Sequence, residues 1–183
     1  MPKLFDSAAA TSALATLELG AVNRELADYW LSLWQGGRLP ARGAVDPVRL
    51  KKFLPGLSIL EIHPDESVRY RIAGQAFRAA YGFDPSGRDV IQMTPPAQRA
   101  ARLARFKSFV AGHVGAAIRV IPRGEEPDVI SQDLVLPLGG RAADGARTWI
   151  FHNSWRPAKA DWPRALPPAA VGMIDGFVTR ALA

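Results

Sequence analysis

The chain has 183 residues, of which 48% are hydrophobic and 22% are charged, a composition typical of one globular domain with an appendage. Its 23 basic and 17 acidic residues give a formal net charge of +6, but the two signs are mixed along most of the chain, which favours an ordinary solvated surface. The absence of cysteine excludes disulfides, thiolate nucleophiles and sulfur-ligated zinc or iron sites.

The small and polar residues of segment 1–22 indicate a flexible arm, although its leucines could add a helical turn. Asp6, Thr11 and Glu18 interrupt the alanine-rich run, so it lacks the apolar core of a signal peptide. No window approaches the roughly 20 apolar residues that a membrane helix needs. We therefore expect a cytoplasmic protein without a membrane partner.

Residues 23–45 predict a helix and a connector. Asn23 is a suitable N-cap, and Gly36-Gly37 should end the helix. Large apolar residues recur between them at spacings of three and four: Leu26, Tyr29, Trp30, Leu33 and Trp34. This stripe is broader than a short surface helix normally shows, so it needs a partner. The partner is the body of the same domain, the same helix in a second subunit, or both, and we expect a homodimer interface on this stripe.

Residues 46–157 predict the main domain. It begins with Asp46 as the cap of a short helix that ends at Pro55-Gly56, with Leu50, Phe53 and Leu54 facing inward. The short runs 57–62 and 68–74 predict a β-hairpin. The residues expected on the buried face of its second strand are Val68, Tyr70 and Ile72.

Two helices are expected next. The first is short, carries Phe77 and Tyr81 on one side, and ends at Gly82. The second begins at the prolines before Ala97 and is longer. Its apolar stripe is predicted to contain Leu103, Phe106, Val110 and Val114, whereas Arg99, Arg102 and Arg105 should form its wet face.

Three alternating segments predict the remaining strands, at 116–124, 130–140 and 147–157. The glycine-rich run between the last two does not precede a helix, so we interpret it as a hairpin loop and not as a phosphate-binding loop. Residues 158–183 predict a helical tail with Val171, Ile174, Phe177 and Val178 turned inward.

The order of these elements indicates an α+β domain with helices flanking a five-stranded antiparallel sheet. The order resembles the PAS fold, and residues 23 to about 156 resemble a bacterial family of stand-alone PAS proteins. The segments that carry this resemblance are YW, GRLPAR, DPVRLKKFLPG, ILEI, YRIAGQAFRAAYGFDPSGRDV and VLPL.

The resemblance implies a sensory or regulatory module rather than an enzyme. PAS domains hold a small ligand or cofactor between the sheet and its helical side, or act by dimerising, and we expect the output to pass by contact to a separate signalling protein. The serines lack a GxSxG elbow, and no acidic pair forms a catalytic signature. We therefore predict no catalytic residues and no metal site.

The candidate ligand pocket is formed by aromatic residues with a few polar groups. Its members are Tyr70, Phe77, Tyr81, Trp149, Phe151, Asn153 and Trp155, with Arg71 as a second polar group. The same aromatics could fill a dry core. The cofactor is unknown: His113 or His152 could serve as an axial haem ligand, structural roles are favoured for both, and non-covalent flavin stays open while cysteine-dependent photochemistry is excluded.

Two classes of function result. The leading one is a PAS-type module that dimerises and transmits a small-ligand or protein-interaction signal to a partner. The alternative is a basic nucleic-acid-binding protein that uses Arg99, Arg102 and Arg105. The aromatic residues are not interleaved with these arginines, so base stacking has no support.

Overall fold

A computed structural model describes residues 6–110, 113–123, 126–140, 144–157 and 178–181. The α-helices of these segments are α1 (Ser7–Ala15), α2 (Ala21–Ser32), α3 (Pro47–Leu50), α4 (Gln75–Tyr81) and α5 (Pro96–Val110). Two 3-10 helices lie at Arg42–Ala44 and Lys51–Gly56. The strands are β1 (Leu57–Ile62), β2 (Val68–Ala73), β3 (His113–Arg123), β4 (Glu126–Pro137), β5 (Arg147–Pro157) and β6 (Val178–Ala181).

The strands form one antiparallel sheet in the order β2-β1-β5-β4-β3-β6. The predicted α+β architecture and its five antiparallel strands are confirmed. The sixth strand is a correction, because Val178 was expected in a helix and instead pairs with Ala116 of β3. The rest of the predicted helical stripe, at Val171, Ile174 and Phe177, lies outside the described residues.

Helices cover the sheet on both sides. On what we call the front face, Leu60, Tyr70, Val135 and Trp149 pack with Phe106 of α5 and with the loop at Val90 and Ile91. On the rear face, Ile59, Leu134 and Ile150 pack with α1, α2 and the 3-10 helix Lys51–Gly56. Residues 132–137 of β4 and 148–153 of β5 are therefore covered on both faces, and consecutive residues along these segments enter different cores.

Helix α1 and the residues that follow it are part of the rear core. Asp6 caps α1 by accepting a hydrogen bond from the Ala8 amide at 2.8 Å. Leu14 and Leu17 are buried, and the Arg24 guanidinium donates to the carbonyl oxygens of both. The predicted flexible arm is thus wrong for the residues from α1 onward, because their apolar face finds a partner in the sheet and α2.

Helix α2 begins three residues earlier than predicted, with Gly20 and not Asn23 at the N-cap position. Gly20 precedes it in extended conformation, and Asn23 is a buried residue inside the helix, not its cap. Gly36 and Gly37 follow the helix with positive φ angles of 57° and 68°, a conformation that favours glycine. The chain therefore turns where expected, although the helix itself ends at Ser32.

The apolar stripe of α2 fastens this helix to its own sheet. Leu26 and Trp30 are fully buried, and the Trp30 indole donates from Nε1 to the Pro137 carbonyl at 2.8 Å. Tyr29 is also buried, and its hydroxyl accepts from the Asp46 amide at 2.8 Å. Leu26 and Trp30 have no exposed surface and Tyr29 has only 6%, so these three positions of the predicted dimer interface are occupied by contacts within the chain.

Only the end of the stripe keeps some accessible surface. Leu33 and Trp34 are half-buried and pack against the rear core. The Trp34 ring meets the Trp30 ring edge to face, with centroids 5.2 Å apart, while its own Nε1 has no hydrogen-bond partner. The two tryptophans therefore differ in their polar contact although they share one helix end.

The predicted β1–β2 hairpin is confirmed, with one irregularity. The pairing shifts between Ile59 and Leu60, so Ile72 lies opposite Ile59 and is half exposed instead of following Tyr70 into the core. The Asp46 cap is confirmed by a 2.8 Å bond from the Val48 amide. Leu54 was expected to face inward but is exposed.

The long-helix prediction is right for its first half. Phe106 is buried and Leu103 is half-buried against the front core. Helix α5 ends at Val110, and Val114 belongs to β3, where it joins the rear core on the opposite side of the sheet. Val114 is therefore not part of the predicted helical stripe.

The contrast between the two tryptophans gives a stability prediction. Trp30→Phe should lower the free energy of unfolding by about 1–3 kcal/mol, because the buried Pro137 carbonyl loses its donor. Trp34→Phe should cost less than about 1 kcal/mol, since its indole nitrogen donates to nothing. Urea unfolding followed by circular dichroism measures both, and equal costs would contradict the role assigned to the Trp30 bond.

Candidate functional site

The front face of the sheet presents three rows of side chains across its middle strands. In the first row Asp133 lies opposite Asn153. In the second, Phe151 lies opposite Val135 on one side and Ser58 on the other. The third row contains the cross-strand neighbours Pro137, Trp149, Leu60 and Tyr70. The face thus changes from polar at one end to apolar and aromatic at the other.

Four predicted pocket residues do come together on this face. The Phe77 ring on α4 lies 5.9 Å from the Tyr70 ring and 5.7 Å from the Phe151 ring, measured between centroids. Trp149 packs in the same cluster and is buried with Tyr70, whereas Phe77 and Phe151 are half-buried. The aromatic wall is therefore not sealed at the end where Phe77 meets Phe151.

The other predicted members are distributed differently. Asn153 lies on the front face one row beyond Phe151. The side chains of Tyr81 and Trp155 are outside the part of the chain that the structure describes. Arg71 is a correction, since its side chain is exposed and lies 4.0 Å from Glu61 at the sheet surface.

Two polar groups on the front face are buried without a hydrogen-bond partner. The Ser58 hydroxyl belongs to a residue with no exposed surface, and the Trp149 Nε1 to a residue that is 2% exposed. Most buried polar groups in proteins are hydrogen-bonded, and an unsatisfied one costs roughly 1–3 kcal/mol. Ser58 was not predicted, although a single serine within the apolar run LSILEI was a detectable signal.

Asp133 and Asn153 form a buried pair at the polar end. The Asn153 side-chain amide donates to the Asp133 carboxylate, and the two residues are 1% and 7% exposed. Asp133 was also missed by sequence reasoning, because an aspartate in an alternating strand normally indicates a solvent-facing position. Only the second covered face of β4 makes this position internal.

A second polar cluster lies behind the same strands, under the N-terminal helices. The Gln132 side chain donates to the Glu18 carbonyl at 2.6 Å and accepts from the Gly20 amide at 2.7 Å. The Asn23 amide donates to the Gln132 side-chain oxygen at 3.0 Å and to its carbonyl oxygen at 3.2 Å. Strand β4 thereby holds the connector between α1 and α2 through one glutamine.

His152 completes this rear cluster. Its Nδ1 lies 2.6 Å from the Asn23 side-chain oxygen, which leaves Nδ1 as the donor because the Asn23 amide already donates to Gln132. Burial lowers the pKa of His152 to about 4 from an ordinary 6.5, although a hydrogen bond with the Phe53 backbone opposes this change. The histidine is therefore neutral near pH 7 and serves as a structural link between β5 and α2.

The positions of the three histidines bear on haem and metal binding. His152 faces away from the front face, so it does not serve a ligand there, and the His113 side chain is outside the described residues. His63 pairs with Asp144 at 3.2 Å. Within the described segments, no group of three or more histidines and carboxylates is arranged to hold a metal ion.

Two of the three arginines proposed for nucleic acid are engaged within the chain. Arg99 donates to the carbonyl oxygens of Thr94 and Gln92, and Arg102 donates to the Thr94 hydroxyl. Both therefore fix the loop before α5, and their positions give no support to a nucleic-acid surface. None of the helices in the described segments is both long and apolar enough to cross a membrane.

Comparison with known proteins gives one family. A family model described as a PAS domain matches residues 20–149, which is more than half of the chain. No curated protein matches the sequence. The matched range includes α2 and most of the front face but ends before His152 and Asn153.

The buried histidine predicts a pH dependence of stability. Because the folded pKa of about 4 is below the unfolded value of 6.5, the unfolded chain binds more protons between these values. Stability should be full above pH 6.5 and fall as the pH is lowered towards 4, by about 2 kcal/mol between pH 7.5 and pH 5.

Urea unfolding at pH 7.5, 6.5 and 5.0 measures this effect. His152→Gln should remove most of the decrease, and His63→Gln, which removes the half-buried histidine of the β1–β2 turn, should leave it in place. If His152→Gln retained the full decrease of the wild-type protein, the neutral buried histidine would be refuted.

Proposed function

The chain belongs to the PAS domain family, and from this membership we propose that it is a non-catalytic module that transmits a small-ligand or protein-interaction signal to a separate protein. PAS domains are in general sensory or regulatory modules. We propose a cytoplasmic location, which the absence of cysteine supports. The ligand, the partner and the direction of the signal are parts of this proposal.

One observation carries the proposal: consecutive residues of the two middle strands serve opposite faces. On β4, Asp133 enters the front face and Gln132 the rear cluster. On β5, Asn153 lies on the front face and His152 lies in the rear cluster. A ligand that shifts the front ends of these strands would therefore also shift the atoms that hold α1 and α2.

A shift of β4 would break hydrogen bonds in the rear cluster. Gln132 and Asn23 satisfy buried donors and acceptors that belong to the α1–α2 connector and to α2. A small displacement of β4 would leave these groups unpaired inside the core, at a cost of roughly 1–3 kcal/mol for each. Re-orientation of the helices relative to the sheet is the response that restores the bonds, and it would be the signal that a partner reads.

Homodimerisation remains part of the proposal, on a smaller surface than the sequence indicated. Leu33 and Trp34 are the members of the predicted stripe with accessible area. Val48 on α3 is 78% exposed and lines a groove with Tyr29 and Ser32 of α2. These exposed apolar side chains are the ones that a second copy could cover.

Native mass spectrometry of the full chain, purified gently from a bacterial host, tests the function. The proposal predicts two chains and an additional small-molecule mass. Phe77→Ala should reduce the retained mass because it removes an aromatic wall of the front face. Phe83→Ala should retain the mass, since Phe83 is exposed and stacks on Arg88.

A wild-type spectrum with single chains and no added mass would contradict both the dimer and the ligand. An added mass that survives Phe77→Ala undiminished would contradict the front face as its position.

A further inference from the structure

The front face contains two buried hydrogen-bonding groups that the folded chain itself leaves unused. Neither the Ser58 hydroxyl nor the Trp149 indole N–H has a partner, although both atoms are shielded from solvent. Three other buried polar atoms in the described residues also lack a partner, those of Trp34, His63 and Gln98, but only Ser58 and Trp149 lie together on one face of the sheet. Two unpaired groups on one face are therefore better explained by a missing partner than by loose packing.

These two groups are close enough to serve one small molecule. Ser58 lies opposite Phe151, and Leu60, the next residue of β1 on the same face, lies opposite Trp149. Ser58 and Trp149 are thus diagonal cross-strand neighbours, whose Cα atoms are roughly 7–8 Å apart in such an arrangement. The pairing of β1 with β5 runs through these residues without a register shift.

The chemistry of the two groups restricts what they can bind. The Trp149 indole can only donate, so its partner must present an acceptor, and the Ser58 hydroxyl can donate to the same group. The surface beside them is aromatic, because Phe151 lies opposite Ser58 and two residues along β5 from Trp149, and the Phe77 ring lies 5.7 Å from the Phe151 ring. Phe77 and Phe151 are half-buried, which leaves a route to solvent at this end of the face.

We propose that the front face binds a flat, mainly apolar small molecule with a carbonyl-type oxygen, an amide or a carboxylate, that accepts hydrogen bonds from Trp149 Nε1 and Ser58 Oγ. The aromatic rings of Phe77 and Phe151 would contact its flat body. This assignment rests on the proposed function, because it gives the chemical class of the ligand that the sensory module would hold.

Matched probes test the ligand class on the ¹⁵N-labelled full chain. The probes are 2-naphthamide and 2-naphthoate, which share a flat body and carry the oxygen, and 2-methylnaphthalene, which lacks it. At least one oxygen-bearing probe should bind about tenfold more tightly or better than 2-methylnaphthalene, because it satisfies donors that are unpaired without it. Which of the two binds distinguishes a neutral amide ligand from a carboxylate.

The indole N–H signal of Trp149 reports the contact directly. Its resonance is identified by its loss in Trp149→Phe, and it should move downfield when an oxygen-bearing probe binds. Trp149→Phe and Ser58→Ala should each reduce the preference for the oxygen-bearing probe about tenfold. Ser58→Ala should not lower the melting temperature of the ligand-free protein, since it removes no existing hydrogen bond. Trp149→Phe should lower it only by the packing that the smaller ring loses in the core.

Three results would overturn the assignment: no binding of either oxygen-bearing probe, equal binding of 2-methylnaphthalene, or an unchanged preference in both variants. None of these results would change the native mass spectra, in which the wild-type protein is expected to retain an added mass that Phe77→Ala loses. A failure of the ligand class is thereby distinguishable from a failure of the proposed function.

Discussion

The covering of the middle strands on both faces, at residues 132–137 of β4 and 148–153 of β5, is the constraint on which the rest of this structure depends. A strand covered on one side can expose every second residue, but polar side chains in these segments must find partners inside the protein or stay unsatisfied. Gln132 and His152 do so by bonding to the N-terminal helices, whereas Asp133 and Asn153 bond to each other on the front. Helices α1 and α2 are thus required by the sheet and are not an appendage to it.

The polar cluster around Gln132 and the Ser58–Trp149 region of the front face differ in how their buried side chains are paired. Behind the sheet, the Gln132 side chain bonds to Glu18 and Gly20 of the α1–α2 connector, and the Asn23 amide of α2 donates to the Gln132 carbonyl of β4. At the front, Ser58 and Trp149 remain unpaired beside half-buried aromatic rings. This arrangement supports the proposal that a ligand binds on the front face and that the rear cluster responds to it.

The sequence was most informative where local chemistry decides the structure. The Asp46 cap, the β1–β2 hairpin and the turn at Gly36-Gly37 follow from side-chain capping and backbone preferences that act within a few residues. The α2 stripe was correctly predicted to need a partner. Its spacing could not distinguish the sheet of the same chain from a second copy, because both offer an apolar surface.

Features that depend on contacts distant in sequence were missed. Asn23 has the residue type of a cap, and only Gln132, 109 positions away, makes it a buried link. Ile72 follows the alternation of its strand, yet the shifted register turns it outward. Ser58 and Asp133 became candidate site residues only when both faces of the sheet were seen to be covered.

Native-state hydrogen exchange of the α2 amides tests the central claim most directly. If the helix is part of the core, the amides of Leu26, Ala27 and Trp30 should exchange with an opening free energy close to that of the β4 amides and with a similar dependence on denaturant. Exchange of these α2 amides through openings several kcal/mol less costly than those of β4 would show that the helix detaches independently, and would contradict this account.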